Sequence, residues 1–295
     1  MDFLGLDLQI VLFGLGVGIL IGLTGIGGGS LMTPLLILFG GISPTIAIGT
    51  DLAYGAITKT LGGWRHWKKG TVDKGVSFWM ALGSVPGSVL GVLILELAIS
   101  AKPDLLLSII AGVLVLVSVT LLVRFAVFTD LEARERHAVP LNARTKSFAA
   151  GTGLVLGVLL GLTSVGSGAL VGFVLILFFR LTPHRVVGTD VFHASLMLWA
   201  AAFAHLFFGN VDFALMGTIL IGSLPGVVIG TALIDYIPAG ILRPVLACVL
   251  LAAGIGVATK AGLDVPTWAV LAVPVVAGLL LAGITVARRP QERTA

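Results

Sequence analysis

The stretch Gly22 to Asp51, GLTGIGGGSLMTPLLILFGGISPTIAIGTD, occurs twice in this chain. A slide of 161 − 22 = 139 residues lays it without a gap on Gly161 to Asp190, GLTSVGSGALVGFVLILFFRLTPHRVVGTD. The correspondence runs on: His66 falls on His205, Gly70-Thr71-Val72-Asp73 on Gly209-Asn210-Val211-Asp212, and Gly83-Ser84-Val85-Pro86-Gly87 on Gly222-Ser223-Leu224-Pro225-Gly226. About a third of the positions from Gly22 to Gly91 are identical across the slide, which reads as a duplicated unit.

Of the 295 residues, 57% are hydrophobic and 11% are charged, against a charged share of about 25% in soluble domains. Apolar stretches of roughly 20 residues recur from end to end, so the expected fold class is an all-α polytopic membrane protein. The net charge of +4 comes from Lys and Arg in short loops, where they act as topology signals and imply no nucleic-acid partner. The single cysteine, Cys248, lies in an apolar run and reads as packing. The opening MDFLGLDLQI has no basic residue, unlike a cleaved signal peptide, so the first span is expected to be retained.

The run Leu8 to Gly41 is too long for one span. As a single helix it would measure about 50 Å against a hydrocarbon core of about 30 Å, so it must bend, and Gly25-Ile26-Gly27-Gly28-Gly29 is where it can. Further spans are expected at Pro44 to about Gly62, Gly75 to Leu97 and Leu105 to Phe128. The second half repeats the plan: Ser147 to Leu181 broken at Ser164 to Gly168, His184 to Phe208, Val211 to Ile234, Ile241 to Thr259, then Val265 to Ala287. That gives a first membrane repeat over 1–128, a charged linker over 129–146, a second repeat over 147–287 and a basic tail over 288–295, with eight to ten membrane segments.

Charge sets the orientation. Arg65, Lys68, Lys69 and Lys74 after the third segment, the linker, and the tail are all expected in the cytoplasm. Counting each broken run as two elements makes these consistent. It also puts the loop Arg180 to Arg185 inside and its counterpart Gly40 to Thr45 outside, the pattern of an inverted-topology pair.

A break at membrane depth frees backbone N–H and C=O groups and is tolerated only beside a cavity. Half-helix N-termini then offer donors and positive dipole to an anion. Gly27, Gly28, Gly29 and Ser30, with Gly166, Ser167, Gly168 and Ala169, are the candidate substrate-binding residues; glycine for close helix packing is the alternative. Asp51 and Asp190 sit at equivalent places inside spans, where a carboxylate lines a cavity or a proton path, or else rests on the positive end of its own helix with Thr50 or Thr189 assisting. These four, with His193, are the candidates for proton coupling. Lys59, with Leu198 as its counterpart, lies near an expected span end and should snorkel outward. His66 and His205 read as structural, and Trp64, Trp67 and Trp79 as an interfacial belt. No metal-ligand spacing, P-loop or Ser-His-Asp arrangement is readable, so neither a metal, a cofactor nor an enzyme is expected.

The sequence resembles the sulfite exporter TauE/SafE family of membrane transporters. The resemblance rests on GLTGIGGGSLMTPLLILFG, SPTIAIGTDLAYGAITKTLGGWRHWKKGTVD, their echo in the second half, and the paired GSVPGSVLG and GSLPGVVIG segments. It implies a carrier in the bacterial inner membrane that exports small sulfur-containing anions such as sulfite, sulfonates or sulfoacetate, coupled to protons. The second repeat departs from the fuller glycine pattern at Ser167 (for Gly28) and Phe173 (for Pro34), so the halves should contribute unequally. A passive anion pore, a carrier of a non-sulfur anion, and an intramembrane enzyme or scaffold are the competing readings. Helix surfaces this uniformly apolar leave a homo-oligomer open.

Overall fold

A computed structural model describes residues 2–3, 6–24, 29–127, 139–233, 236, 239–266 and 268–288. A two-residue antiparallel ribbon, Asp2–Phe3 with Leu6–Asp7, precedes eleven described helices. The first broken run forms α1 (Leu8–Thr24) and α2 (Gly29–Leu38), followed by α3 (Pro44–Lys68), α4 (Lys74–Ile94) with a π-helical turn Leu95–Ile99, and α5 (Pro103–Val127). The second broken run forms α6 (Ala143–Thr163) and α7 (Ala169–Leu177), followed by α8 (Pro183–Phe207), α9 (Phe213–Leu233), α10 (Ala239–Lys260) and α11 (Ala269–Arg288). The offset recurs in the bounds themselves: 44 + 139 = 183 and 68 + 139 = 207 give α8 from α3, and 74 + 139 = 213 and 94 + 139 = 233 give α9 from α4. The helix α6 starts at Ala143, inside the stretch read as linker.

The same residues set these bounds in both halves. Pro44 and Pro183 open α3 and α8, where a fixed φ suits the helix and the missing N–H is not needed. At the far ends Gly70 (φ +70°) and Gly209 (φ +76°) take the left-handed turn, and Thr71 N–H and Asn210 N–H return to the His66 and His205 carbonyls at 3.2 and 2.9 Å. Asp73 then accepts from Val76 N–H at 3.0 Å, and Asp212 from Leu215 N–H at 2.9 Å, capping the next helix.

Packing follows the same rule, with partners exchanged between halves. The helix α1 lies on α9 and α6 lies on α4, while α3 crosses α8 and α5 packs on α10. Gly14, Gly18 and Gly22 of α1 abut the backbone of Ile219, Ser223 and Val227 on α9; Gly153, Gly157 and Gly161 of α6 abut Met80, Ser84 and Ser88 on α4. A Cβ at Gly14 would lie 2.6 Å from the Ile219 carbonyl oxygen, so glycine is what permits this approach. The GSVPG segments supply the reciprocal surface: Gly83 and Gly87 press on Ala150 and Leu154, and Gly222 and Gly226 on Val11 and Leu15.

Asp73 N–H donates to Thr189 Oγ1 at 2.9 Å, and Asp212 N–H donates to Thr50 Oγ1 at 3.0 Å. The end of each central helix is thus fastened to the start of the other, and α3 and α8 run antiparallel. Lys68 and Lys74 lie over the Trp64 and Trp67 rings, Lys146 lies over Trp79, and Arg185 pairs with Asp73 at 3.5 Å, which gathers these basic positions at one end of the bundle. The outer surface carries exposed Leu12, Leu82, Val119, Phe203, Phe207 and Val228, as a bilayer-facing belt requires.

By length and composition, five described helical segments can cross a membrane: Lys74–Ile99, Pro103–Phe125, Ala143–Thr163, Pro183–Phe207 and Phe213–Leu233. Three shorter apolar helices accompany them. The central α3 is not among the five, because the polar residues it carries lower its hydropathy. It also runs past the expected end at Gly62 to Lys68.

Candidate functional site

The second break, Ser164 to Gly168, brings the carboxylates of α3 and α8 against backbone that has left the helix. Asp51 is the eighth residue of α3, beyond the first turn, so its own helix N-terminus does not hold it. It is buried, and its Oδ2 accepts from Thr33 Oγ1 on α2 at 2.6 Å and from Ser164 Oγ in the second break at 2.9 Å. Its Oδ1 closes no hydrogen bond. Ser164 adopts φ +60° at the end of α6, a left-handed conformation that turns its hydroxyl across the halves.

Asp190 is equally buried and held differently. The positions matching Thr33 and Ser164 are Gly172 and Gly25, so neither hydroxyl is supplied. Instead Asp190 lies within electrostatic reach of Lys59 on α3 and Arg124 on α5, with the Gly168 backbone N–H as a donor; its Oδ1 closes no hydrogen bond. The Arg124 guanidinium lies beside Gly172, 3.9 Å from the place a Cβ there would occupy.

Lys59 was expected to snorkel and does not. It is 7% exposed, and its Nζ has no hydrogen-bond partner. The reason is helix length: α3 continues nine residues beyond it to Lys68, about 13 Å, farther than a lysine side chain reaches. Its nearest opposite charges are Asp190 and Asp51. Buried Asp51, Asp190 and Lys59, on α3 and α8, with half-buried Arg124 on α5, thus form a charge-balanced set.

Polar groups surround this set in matched pairs. Ser84 Oγ on α4 lies 2.8 Å from His193 Nε2 on α8, with the Met80 carbonyl also beside the ring. At the offset, the Tyr54 hydroxyl on α3 faces the Ser223 hydroxyl on α9 without closing a hydrogen bond.

Among the residues singled out from the sequence, Gly27 and Gly28 lie outside the described residues. Gly29 is the first residue of α2. Ser30 is buried, and its Oγ accepts from Gly166 N–H at 3.3 Å, which joins the two breaks. Gly166 (φ +107°) and Gly168 (φ +97°) make the second break, with Ser167 buried between them and Ala169 opening α7. The Thr50 and Thr189 hydroxyls are engaged with the loop amides of Asp212 and Asp73, and so fasten loops beside the carboxylates. His205 Nε2 contacts the Gly161 carbonyl at 3.2 Å, a structural bond. Arg124 was not singled out in the sequence, and Lys59 was read there as a snorkelling residue, though a lysine inside a span with an apolar counterpart was the available signal. A groove of about 650 Å³ on the flank of α6 and α7, lined by Arg144, Phe148, Thr152 and Val174 among others, does not contain the carboxylates.

Residues 10–257 match the family model described as sulfite exporter TauE/SafE. The chain belongs to the TauE/SafE family. It is 37% identical over 253 residues to the probable membrane transporter protein YjnA of Bacillus subtilis, covering 85% of this chain and 99% of that one. It is 26% identical to the probable membrane transporter protein YdhB of the same organism, over 77% of this chain and 90% of the relative. No solved structure matches it. As a TauE/SafE protein with this apolar helical bundle, the chain is a multi-pass membrane protein, consistent with the plasma membrane, in a family whose relatives are described as probable membrane transporters.

Proposed function

We propose that this TauE/SafE protein is a secondary transporter, acting as an exporter, of small sulfur-containing anions such as sulfite, sulfonates or sulfoacetate, coupled to proton movement. The observation that carries the reading is the set of buried Asp51, Asp190 and Lys59 with half-buried Arg124 beside the second break. Ionisable groups at this depth are expensive, and they mark substrate or proton pathways. The cations and the freed N–H groups of the breaks suit an anion, and the carboxylates suit a proton. The antiparallel course of α3 and α8, with partners exchanged at the 139-residue offset, supports two inverted halves that rock about this site.

The test is flux of labelled sulfite, sulfoacetate and acetate in proteoliposomes with an imposed pH gradient. Saturable, gradient-dependent movement of a sulfur anion supports the reading. A linear, uncoupled conductance makes the protein a pore, and no flux of any of the three removes the assignment.

A further inference from the structure

The two halves present the same scaffold to two carboxylates and neutralise them by different means. Asp51 has hydroxyls from Thr33 and Ser164, and the position that matches Lys59 on its side is Leu198. Asp190 has Gly172 and Gly25 in place of the hydroxyls, and receives Lys59, Arg124 and the backbone N–H of Gly168 at the start of α7. Those three are what an external oxyanion would need: a helix N-terminus, a guanidinium and an ammonium. Lys59 meets the anion requirement independently of the helix end, since its Nζ is buried without a hydrogen-bond partner and lies within electrostatic reach of Asp190 and Asp51.

We propose that the Asp190 carboxylate is the resident occupant of an anion seat built from the α7 N-terminus, Lys59 and Arg124, and that the transported anion and a proton displace it together. When a proton binds the Asp190 carboxylate, the side chain becomes neutral and releases the seat; the anion then takes it. When the anion leaves, the proton leaves and the carboxylate returns. For a monoanion such as bisulfite the net charge in the seat is the same in both states, and for a dianion such as sulfoacetate it is one unit more negative, so neither leaves buried Lys59 uncompensated. The charged groups facing Asp190 are Lys59 from α3 and Arg124 from α5; α4 contributes Ser84, which is engaged with His193, and the start of α7 contributes its N–H. This mechanism rests on the anion-carrier reading and narrows it: anion and proton binding are positively linked, the linkage resides in the second half, and export then runs down the anion's own outward gradient with the proton leaving alongside.

The experiment is calorimetric titration of the detergent-purified protein with sulfoacetate and with sulfite, in buffers of different ionisation enthalpy, so that protons taken up per anion are counted. The expected result is uptake of about one proton per bound sulfoacetate and affinity that weakens as pH rises. Asp190→Asn should bind sulfoacetate without proton uptake and with affinity insensitive to pH, and Lys59→Met should bind about tenfold more weakly or worse. Binding to the wild-type protein with no proton uptake, a result that needs no variant to fold, overturns the displacement and leaves the carrier standing. Unchanged uptake in Asp190→Asn does the same. Failure of the wild-type protein to bind either anion overturns the anion-carrier reading, and the displacement with it.

Discussion

Ser84 Oγ and His193 Nε2 lie 2.8 Å apart, joining α4 to α8, and at the 139-residue offset Ser223 and Tyr54 stand in their places on α9 and α3. One pair is closed by a hydrogen bond and the other is not. The contrast is the same as that between Asp51 and Asp190: a repeated scaffold in which side chains have diverged where they meet the centre.

Ser84 is also one of the points where α6 presses on α4, through Gly157. Gly157→Leu would drive a side chain into the Ser84 backbone, separate the two helices and break the bond to His193. Overpacking of this kind destabilises by about 1–3 kcal/mol, and here at the upper end because backbone is what it meets. Thermal unfolding of the purified protein in detergent should show a lower midpoint for Gly157→Leu, while Gly151→Leu, at a position open on all sides, should leave it unchanged.

Asp73 does three things: it caps α4, its N–H donates to Thr189, and its carboxylate pairs with Arg185. Asp73→Ala should destabilise by about 1 kcal/mol or more through the lost cap. Arg185→Ala should cost less than about 1 kcal/mol, because the guanidinium is partly exposed and its 3.5 Å contact is long. The same unfolding measurement ranks the two; an equal or larger effect for Arg185→Ala would contradict the division of roles.

Gathering Lys68, Lys74, Lys146 and Arg185 at one end of the bundle makes a labelling prediction. In a variant with Cys248 replaced by Ala, a cysteine at Lys69 or His184 should react with an impermeant thiol reagent only from the cytoplasmic side. One at Ser43 should react only from the outside. Labelling of His184→Cys and Ser43→Cys from the same side would contradict the antiparallel course of α3 and α8.

Much of this was readable beforehand because it depends on backbone punctuation. Pro44 and Pro183 set helix starts, and the glycine strings placed both breaks; Gly70 and Asp73, with Gly209 and Asp212, end one helix and cap the next. Asp51 and Asp190 announced themselves by lying in apolar runs. What could not be read was direction. A sequence does not say which face of α3 meets α8, and an expected end at Gly62 made Lys59 seem close to water when it lies deep in the bundle. Arg124 drew no reading from the sequence, because nothing local places α5 beside α7. The Ser84–His193 contact joins residues 109 apart in the chain, which no local pattern reports.

The most direct test of the account is sulfoacetate flux in proteoliposomes under an imposed pH gradient, comparing wild type with Lys59→Met at matched protein amounts. A buried lysine that holds the anion predicts saturable, gradient-dependent flux in the wild type and a loss of tenfold or more in the variant, since a charged hydrogen-bonding partner contributes about 1.5–3 kcal/mol. Gradient-dependent flux that survives unchanged in Lys59→Met would contradict it and move the anion site away from the set formed by Asp51, Lys59, Arg124 and Asp190.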